Sequence, residues 1–320
     1  MSIINKLFII GNGFDLAHGI PSTFNHFKEY LRYTYEYVYD EYPNLWLQSY
    51  TDYDGGESYE IEGCAQIIDF MICNSCSNIS YEGDGENWSD FEKAMGYFDY
   101  SLLEEDIEIQ YDKEGDINPF HTGNNHEDAY NDLRNVMLKL PELFSEWINN
   151  ISTPENCFSV FNLNSYYSFS ELIDKENDTF LTFNYTETLE NLYEAENVIH
   201  IHGDQTSPIV GHNNDFQMDE QVYHQDTYVN SMNEALKKPT SRIIKENLCF
   251  FKELQGDVDS IYSYGFSFGE VDLIYIEEIF KHLNSENIIW YLHYYDKTKN
   301  EKYKEKIKKC GFLGSFSEFN

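Results

Sequence analysis

The chain contains no apolar run long enough to cross a membrane or to form the core of a secretory signal. The apolar run nearest its amino terminus is Leu7–Ile10, and Gly11 ends it after four residues. A membrane-spanning helix needs roughly 20 apolar residues, and a signal-peptide core needs at least about seven. We therefore expect a cytoplasmic protein that has no membrane partner.

Positive charge is scarce. The 320 residues include 57 Asp and Glu but only 21 Lys and Arg, which gives a formal net charge of −36. A protein that binds nucleic acid generally neutralises phosphates with Lys and Arg, so this composition argues against a general DNA- or RNA-binding function. Residues 297–309 contain seven lysines, which suit either an acidic partner or, as we favour, a solvated terminal helix.

Cysteine is also sparse, with six residues scattered along the chain. That distribution does not form a disulfide framework. Cys73 and Cys76 have the spacing of metal ligands, but no second pair or nearby histidine completes a zinc site. We expect no structural metal.

Short apolar runs alternate with helical patterns, which predicts a doubly wound α/β domain with a mostly parallel sheet covered on both faces. We expect one domain over 1–320, with a largely helical insertion or cap at 44–175. A further short strand is expected at Pro208–Gly211. The principal predicted strands are Leu7–Ile10, Thr179–Phe183, Val198–His202, Ile261–Gly265 and Asn287–Tyr295.

The first strand runs directly into Gly11-Asn12-Gly13. Glycines at this place allow a sharp turn and close approach of a ligand to the backbone, but the full dinucleotide-binding spacing is missing. Asp15 and His18 follow and share a face of a helical turn. They either contact a ligand, or Asp15 caps the helix and His18 is a satisfied hydrogen-bonding residue.

Two later strands also end in polar residues. Asn184 follows Thr179–Phe183, where an amide suits the orientation of a water molecule or a carboxamide. His200 and His202 share a face of the next strand, and His202 lies nearest its carboxyl end, where it suits a general base. Alternatively, imidazoles and carboxylates could bind a metal. That set would be Asp15, His18, His200, His202, Asp204 and His212.

A second glycine turn, Gly265–Asp272, leaves the strand that begins at Ile261. Its backbone amides and Ser267 could contact a ribose or a phosphate. Asp272 is either part of the same site or a helix cap.

Several blocks together resemble the bacterial AbiH family of abortive-infection proteins, which defend against phage. The first block is long and specific, and the others follow in the family's order across almost the whole chain. The blocks are Ile9–Pro21, Trp88–Glu92, Phe183–Thr186, His200–Gly203 and Gly265–Asp272.

The same blocks are more remotely similar to sirtuin-like NAD-binding domains, which implies a Rossmann-like sheet and NAD as substrate or ligand. The resemblance implies that Asn184 and His202 are catalytic. Departures from the sirtuin pattern are Asn12, Asp15 and Thr186, and the missing zinc-ribbon cysteines disfavour a protein deacetylase. The expected cofactor contacts are Gly11, Asn12, Gly13, Phe14, His18, Gly19, Ile20, Pro21, Gly265, Ser267 and Asp272.

Three functional hypotheses follow. The first is hydrolysis of NAD during phage defence, with Asn184, His202 and Asp15 as catalytic residues and Asp15 stabilising a cationic sugar. The second is a metal-dependent phosphoesterase or nuclease. The third is a non-enzymatic nucleotide sensor or toxin partner. The expected partners are a small-molecule nucleotide and either a phage-derived trigger or a second copy of the chain.

Overall fold

The computed structural model describes residues 5–37, 42–79, 88–151, 163–255, 258–294 and 297–320. The chain divides into two compact units. We call the first the sheet unit; it comprises Met1–Thr23, Ile148–Ile209 and Pro239–Asn320. We call the second the helical unit; it comprises Phe24–Trp147 and Val210–Lys238.

Six strands of the described residues form one sheet, in which every neighbouring pair is parallel. The strands in chain order are β1 Asn5–Ile10, β2 Tyr50–Thr51, β3 Glu57–Ser58, β4 Thr179–Thr182, β5 Val198–His200, β6 Val258–Tyr264, β7 Ile289–His293 and β8 Ser315–Phe319. Strands β2 and β3 form a small antiparallel pair in the helical unit. The order of the other six in the sheet is β5-β4-β1-β6-β7-β8. Counted along the chain, these six strands stand in the order third, second, first, fourth, fifth, sixth, which is the order of Rossmann folds.

Helices make up most of the remaining regular structure. They are α1 Asn12–Ala17, α2 Phe24–Tyr35, α3 Ile61–Ile79, α4 Trp88–Met95, α5 Pro119–Met137, α6 Leu140–Asn150, α7 Leu163–Leu172, α8 Thr188–Tyr193, α9 Gln225–Ala235, α10 Thr240–Glu246, α11 Leu248–Glu253, α12 Leu273–His282 and α13 Asn300–Lys309. Among these helices, none is both long and apolar enough to span a bilayer.

The central strand β1 is buried on both faces, as its unbroken apolar run predicts. Alternate side chains of a strand point to opposite faces. Leu7 and Ile9 therefore join a core with α10, α11, α12 and α13. Phe8 and Ile10 join a second core with α1, α7 and α8. Helices thus flank the sheet on both sides, which confirms the α/β class and the parallel sheet.

Aromatic side chains build much of the core of the helical unit. Phe24 packs on Phe91, with ring centroids 4.7 Å apart. Phe27 contacts Phe144 at 5.5 Å and Trp147 at 5.3 Å. These residues lie on the apolar stripes of α2, α4 and α6, so the helical periodicity of the sequence locates this core.

Several predicted boundaries differ from the structure. The expected insertion at 44–175 overlaps the helical unit over 44–147, whereas that unit begins at Phe24 and takes in 210–238; within the predicted range, 80–87 and 152–162 lie outside the described residues. The strand predicted at Pro208–Gly211 is wrong, because this segment is irregular. Strand β8 was not predicted, because its polar and apolar residues alternate on a largely exposed edge.

Candidate functional site

The predicted site residues follow the ends of four neighbouring strands, β5, β4, β1 and β6. Because these strands are parallel, their carboxyl ends lie along one edge, which we call the carboxyl edge. The connections leave in opposite directions after β1 and β6, where the strand order reverses. Open α/β sheets bind ligands outside the carboxyl ends at such a switch point.

The two glycine turns pack directly against each other. The amide of Gly11 donates to the carbonyl of Tyr264, and that of Gly13 donates to the carbonyl of Gly265, each at 3.0 Å. A Cβ atom on Gly11 would lie 2.6 Å from the Cα of Phe266, and Gly265 has a φ of +67°. Backbone packing between the turns therefore accounts for these glycines without a ligand, which favours the tight-turn interpretation.

Asp15 is buried at the carboxyl edge and is only 1 % exposed. Its Oδ2 accepts a hydrogen bond from the Thr186 hydroxyl at 2.6 Å, and its Oδ1 accepts one from the Thr188 hydroxyl at 2.8 Å. Burial raises the pKa of Asp15 to about 6, although the threonine hydrogen bonds lower it. The alternative that Asp15 caps the helix is wrong, because Gly11 occupies the N-cap position of α1.

Both ring nitrogens of the buried His18 contact protein groups. Nδ1 lies 2.6 Å from the Phe14 carbonyl oxygen, which can only accept, so Nδ1 carries the proton. Nε2 then accepts from the Tyr193 hydroxyl at 2.5 Å. Burial lowers the pKa of His18, in keeping with a neutral ring. Phe14 itself packs on Phe169 and Tyr264. These contacts favour structural roles for His18 and Phe14.

The rest of the first motif forms a closed turn. Asn12 accepts a hydrogen bond from the Ser22 hydroxyl at 2.5 Å. Gly19 has a φ of +78°, a conformation that favours glycine. Ile20 is buried, whereas Pro21 is exposed. Of these predicted cofactor contacts, Gly19 and Pro21 are therefore the ones open to solvent.

Asn184 joins β4 to both neighbouring strands. Its backbone amide donates to the Thr182 hydroxyl at 3.1 Å. Its Nδ2 donates to the Gly11 carbonyl at 3.2 Å, and its own carbonyl lies 3.1 Å from Nδ1 of His200. The Asn184 side chain also lowers the pKa of Asp15, although less than burial raises it. The structure thus brings Asn184 next to Gly11 and Asp15.

His200 is held between two acceptors. Nδ1 faces the Asn184 carbonyl, and Nε2 lies 2.8 Å from Oε1 of Glu190. Burial lowers the pKa of His200, but Glu190 and the Asn184 carbonyl outweigh it and raise the pKa above the usual value. An imidazolium that donates to both acceptors fits this arrangement. The half-buried ring of His200 thus joins the turn after β4 to α8.

His202 lies on the opposite face of the sheet from Asp15. Its ring contacts Phe183 at 5.2 Å and Tyr275 at 5.7 Å, both of which belong to the core beneath α12. Nε2 lies 3.1 Å from Oδ1 of Asp272. Within the described residues, the Asp272 side chain makes no capping hydrogen bond to α12. The Asp272 carboxylate therefore lies beside the His202 imidazole at ion-pair distance.

The second glycine turn is held from α13. Phe268 adopts a φ of +53°, and its carbonyl accepts a hydrogen bond from Nζ of Lys306 at 2.5 Å. Burial lowers the pKa of Lys306. Ser267, the neighbouring predicted contact, is exposed. The exposed Ser267 and the Phe268 carbonyl therefore lie on one short loop beyond the end of β6, and Lys306 reaches that loop from α13.

The residues proposed as metal ligands do not form a cluster. His18 and His200 contact the groups described above, and His212 belongs to the helical unit, where Nε2 lies 3.1 Å from the Asn233 carbonyl. Within the described ranges, no group of three or more His, Cys, Asp or Glu side chains is placed to hold a metal ion.

The sequence did not indicate four residues that complete the carboxyl edge: Thr186, Thr188, Glu190 and Tyr193. Thr186 appeared only as a departure from the sirtuin pattern. Each of the four follows β4 within eleven residues and contacts Asp15, His200 or His18. The signal available was position, because polar residues just beyond a buried parallel strand lie at the edge where ligands bind.

A family model described as bacteriophage abortive infection AbiH matches residues 7–294. That range includes β1 from Leu7 onward, the whole of β4, β5, β6 and β7, and the predicted site residues described above. Neither the search of curated proteins nor the search of solved structures returned a significant match. The match covers most of the chain, and the chain belongs to the bacteriophage abortive infection AbiH family.

Proposed function

We propose that this protein binds NAD at the carboxyl edge and hydrolyses the bond between nicotinamide and ribose during abortive infection. Membership of the AbiH family points to an anti-phage role in bacteria. NAD as the substrate is the specific part of the proposal. It rests on the sirtuin-like order of motifs and on the chemistry of the residues at the edge.

The observation that carries the proposal is where the motifs lie. Gly11, Asn184, His202 and Gly265 follow four adjacent strands of a sheet in Rossmann order, on both sides of its switch point. Asn184 is hydrogen-bonded to the first glycine turn, and His202 faces a carboxylate. Paired polar groups of this kind at a switch point are typical of nucleotide-binding α/β enzymes.

The reaction needs a positioned water and a proton acceptor. Water attacks C1′ of the nicotinamide ribose, the bond to the nicotinamide nitrogen breaks, and nicotinamide leaves with the electron pair. Asn184 orients the water or the ribose, and His202 accepts the proton that the water loses. The Asp272 carboxylate beside Nε2 stabilises the imidazolium that forms. General base catalysis of this kind contributes roughly 10²–10⁴-fold to a rate.

The sequence also predicts that Asp15 stabilises the cationic sugar directly. Both of its oxygens accept hydrogen bonds from threonines, so its carboxylate is already engaged within the protein. The catalytic pair in this proposal is therefore Asn184 and His202.

The test compares NAD levels and phage resistance in the same cells. Bacteria producing the wild-type protein should lose NAD after infection and should form fewer plaques than cells without it. Asn184→Ala and His202→Ala should preserve NAD and abolish protection. His282→Ala is the matched control, because His282 lies at the far end of α12 and pairs with Glu278.

Two results together would overturn hydrolysis. NAD would stay intact in infected cells that produce the wild-type protein, and cells that produce His202→Ala would still be protected. Purified protein then separates two remaining cases by calorimetry with ADP-ribose and by chromatography of NAD. Binding without nicotinamide release would identify a nucleotide sensor, and absence of both would remove NAD altogether.

A further inference from the structure

We infer that Asp15 is a positioning residue, which fixes the turn 183–188 and thereby the catalytic amide of Asn184. The inference rests on the proposed function only in treating Asn184 as catalytic. The contacts between Asp15 and the turn do not depend on that function. It replaces direct action of Asp15 on a substrate with action through two threonines and an asparagine.

The first step is the clamp on the turn after β4. The carboxylate of Asp15 accepts one hydrogen bond from Thr186 and one from Thr188. The two threonine hydroxyls also lie 3.0 Å from each other. One side chain from α1 therefore holds both ends of the short segment that leads from Asn184 into α8.

The second step is that Asn184 is held from its other side as well. Its carbonyl faces Nδ1 of His200, whose Nε2 faces Glu190 of α8. Its Nδ2 donates to the carbonyl of Gly11, the residue that follows β1. Asn184 is thus fixed by α1, β1 and β5 together, a preorganised arrangement of the kind that catalytic amides need.

The third step is the effect of a proton on Asp15. The ionised carboxylate accepts from both threonines, but a protonated carboxyl must donate from one oxygen, so one threonine hydroxyl has to turn round. The turn that carries Asn184 therefore responds to the charge of Asp15. The other titratable groups that interact with this network are His200 of β5, which acts on Asp15, and Glu190 of α8 and Asp204 beyond β5, which act on His200.

The first experiment reads Asn184 directly and needs no activity. The purified full-length protein is labelled with [¹⁵N]asparagine, and the Asn184 side-chain amide is assigned with Asn184→Gln and followed by NMR from pH 5 to pH 8. Its signal should shift with a midpoint near pH 6 in the wild type. The shift should vanish in Asp15→Asn and persist in Asp259→Asn, an exposed aspartate of β6.

A signal that stays constant with pH, or a transition that survives in Asp15→Asn, would overturn the inference. Because this readout does not involve NAD, failure of the proposed function leaves it valid. Thr188→Val supplies a second variant that keeps the carboxylate, so the test remains decisive if Asp15→Asn fails to fold.

The second experiment uses NAD turnover where the wild type is active. Misplacing a catalytic group by about 1 Å can cost on the order of a hundredfold in rate. We expect Asp15→Asn and Thr188→Val each to lower kcat about tenfold or more, to leave KM nearly unchanged, and to show no additive loss when combined. If Thr188→Val keeps the wild-type kcat while Asp15→Asn loses it, Asp15 acts on the substrate and the inference is wrong.

Discussion

The two edges of the sheet bury an aspartate in different ways. At the amino edge, Asp178 accepts hydrogen bonds from the backbone amides of Lys6 at 3.0 Å and Asp174 at 2.7 Å, and the Lys6 ammonium lies 3.5 Å away. At the carboxyl edge, Asp15 receives its two hydrogen bonds from neutral hydroxyls. One carboxylate is paired with a cation, and the other is held by groups without charge.

The difference separates a structural carboxylate from one that belongs to a site. Asp178 contacts a cation and backbone amides, and these contacts tie β1 to the start of β4. Burial without a directly bonded cation leaves Asp15 able to change protonation near neutral pH. Perturbed titratable groups cluster at functional sites, so the carboxyl edge is where chemistry is expected.

Removing the amino-edge carboxylate should have the largest effect on stability. Asp178→Ala leaves two backbone amides without their acceptor and separates Lys6 from its counter-ion, so the free energy of unfolding should fall by about 3–5 kcal/mol. Urea denaturation at pH 7.5 measures it. Asp259→Ala is the control and should stay within about 0.5 kcal/mol of the wild type. A loss below 1 kcal/mol for Asp178→Ala would show that the two edges do not differ as described.

At the carboxyl edge, the contribution of Asp15 to the free energy of unfolding should depend on pH. The pKa of Asp15 is raised from 3.8 to about 6 in the folded state, so the folded protein binds more protons between those values. Its contribution to the free energy of unfolding therefore falls as pH rises from about 4 to about 6, by about 3 kcal/mol at 1.36 kcal/mol per pKa unit. Asp15→Asn should lack this loss.

The measurement is the stability of Asp15→Asn minus that of the wild type, by urea denaturation at intervals from pH 4 to pH 7.5. Ionisable groups that do not interact with Asp15 contribute equally to both proteins and cancel in the difference. The difference should rise in favour of the variant by about 3 kcal/mol across that range. A constant difference would mean that Asp15 does not titrate in the folded protein.

Sequence patterns identified the strands that form the core of the sheet, because Leu7–Ile10 and Thr179–Phe183 are unbroken apolar runs. They also identified the carboxyl edge, since parallel strands bring Asn184 and Gly11 to the same side. They missed Thr188 and Asp178. A single threonine or aspartate beside a strand carries no periodic signal, and only the docking of α1 and α8 on the sheet gives Thr188 its partner.

A substitution at Thr188 tests how much a hydroxyl that donates to Asp15 contributes to stability. Thr188→Val removes the donor to Oδ1 of Asp15 while nearly keeping the volume, so the free energy of unfolding at pH 7.5 should fall by about 2 kcal/mol. The loss should shrink at pH 4, because a neutral carboxyl depends less on that donor. Thr298→Val, at an exposed position, is the control. An equal loss at both pH values would assign the effect to packing instead of charge.

The smallest effect on the free energy of unfolding is expected at His18. This second titratable group of the carboxyl edge is buried in its neutral form. Tyr193→Phe removes the hydroxyl that donates to Nε2 of His18, and a buried neutral hydrogen bond contributes about 1 kcal/mol. Because that bond stabilises the unprotonated ring, its loss should also raise the pKa of His18, which NMR of the ring protons measures. Between pH 7.5 and pH 8.5 the loss of stability should be constant, because the lowered pKa keeps His18 neutral throughout this range. If the pKa of His18 instead falls in Tyr193→Phe, the tyrosine hydroxyl accepts from Nε2, and His18 joins Asp15 as a group whose charge the edge uses.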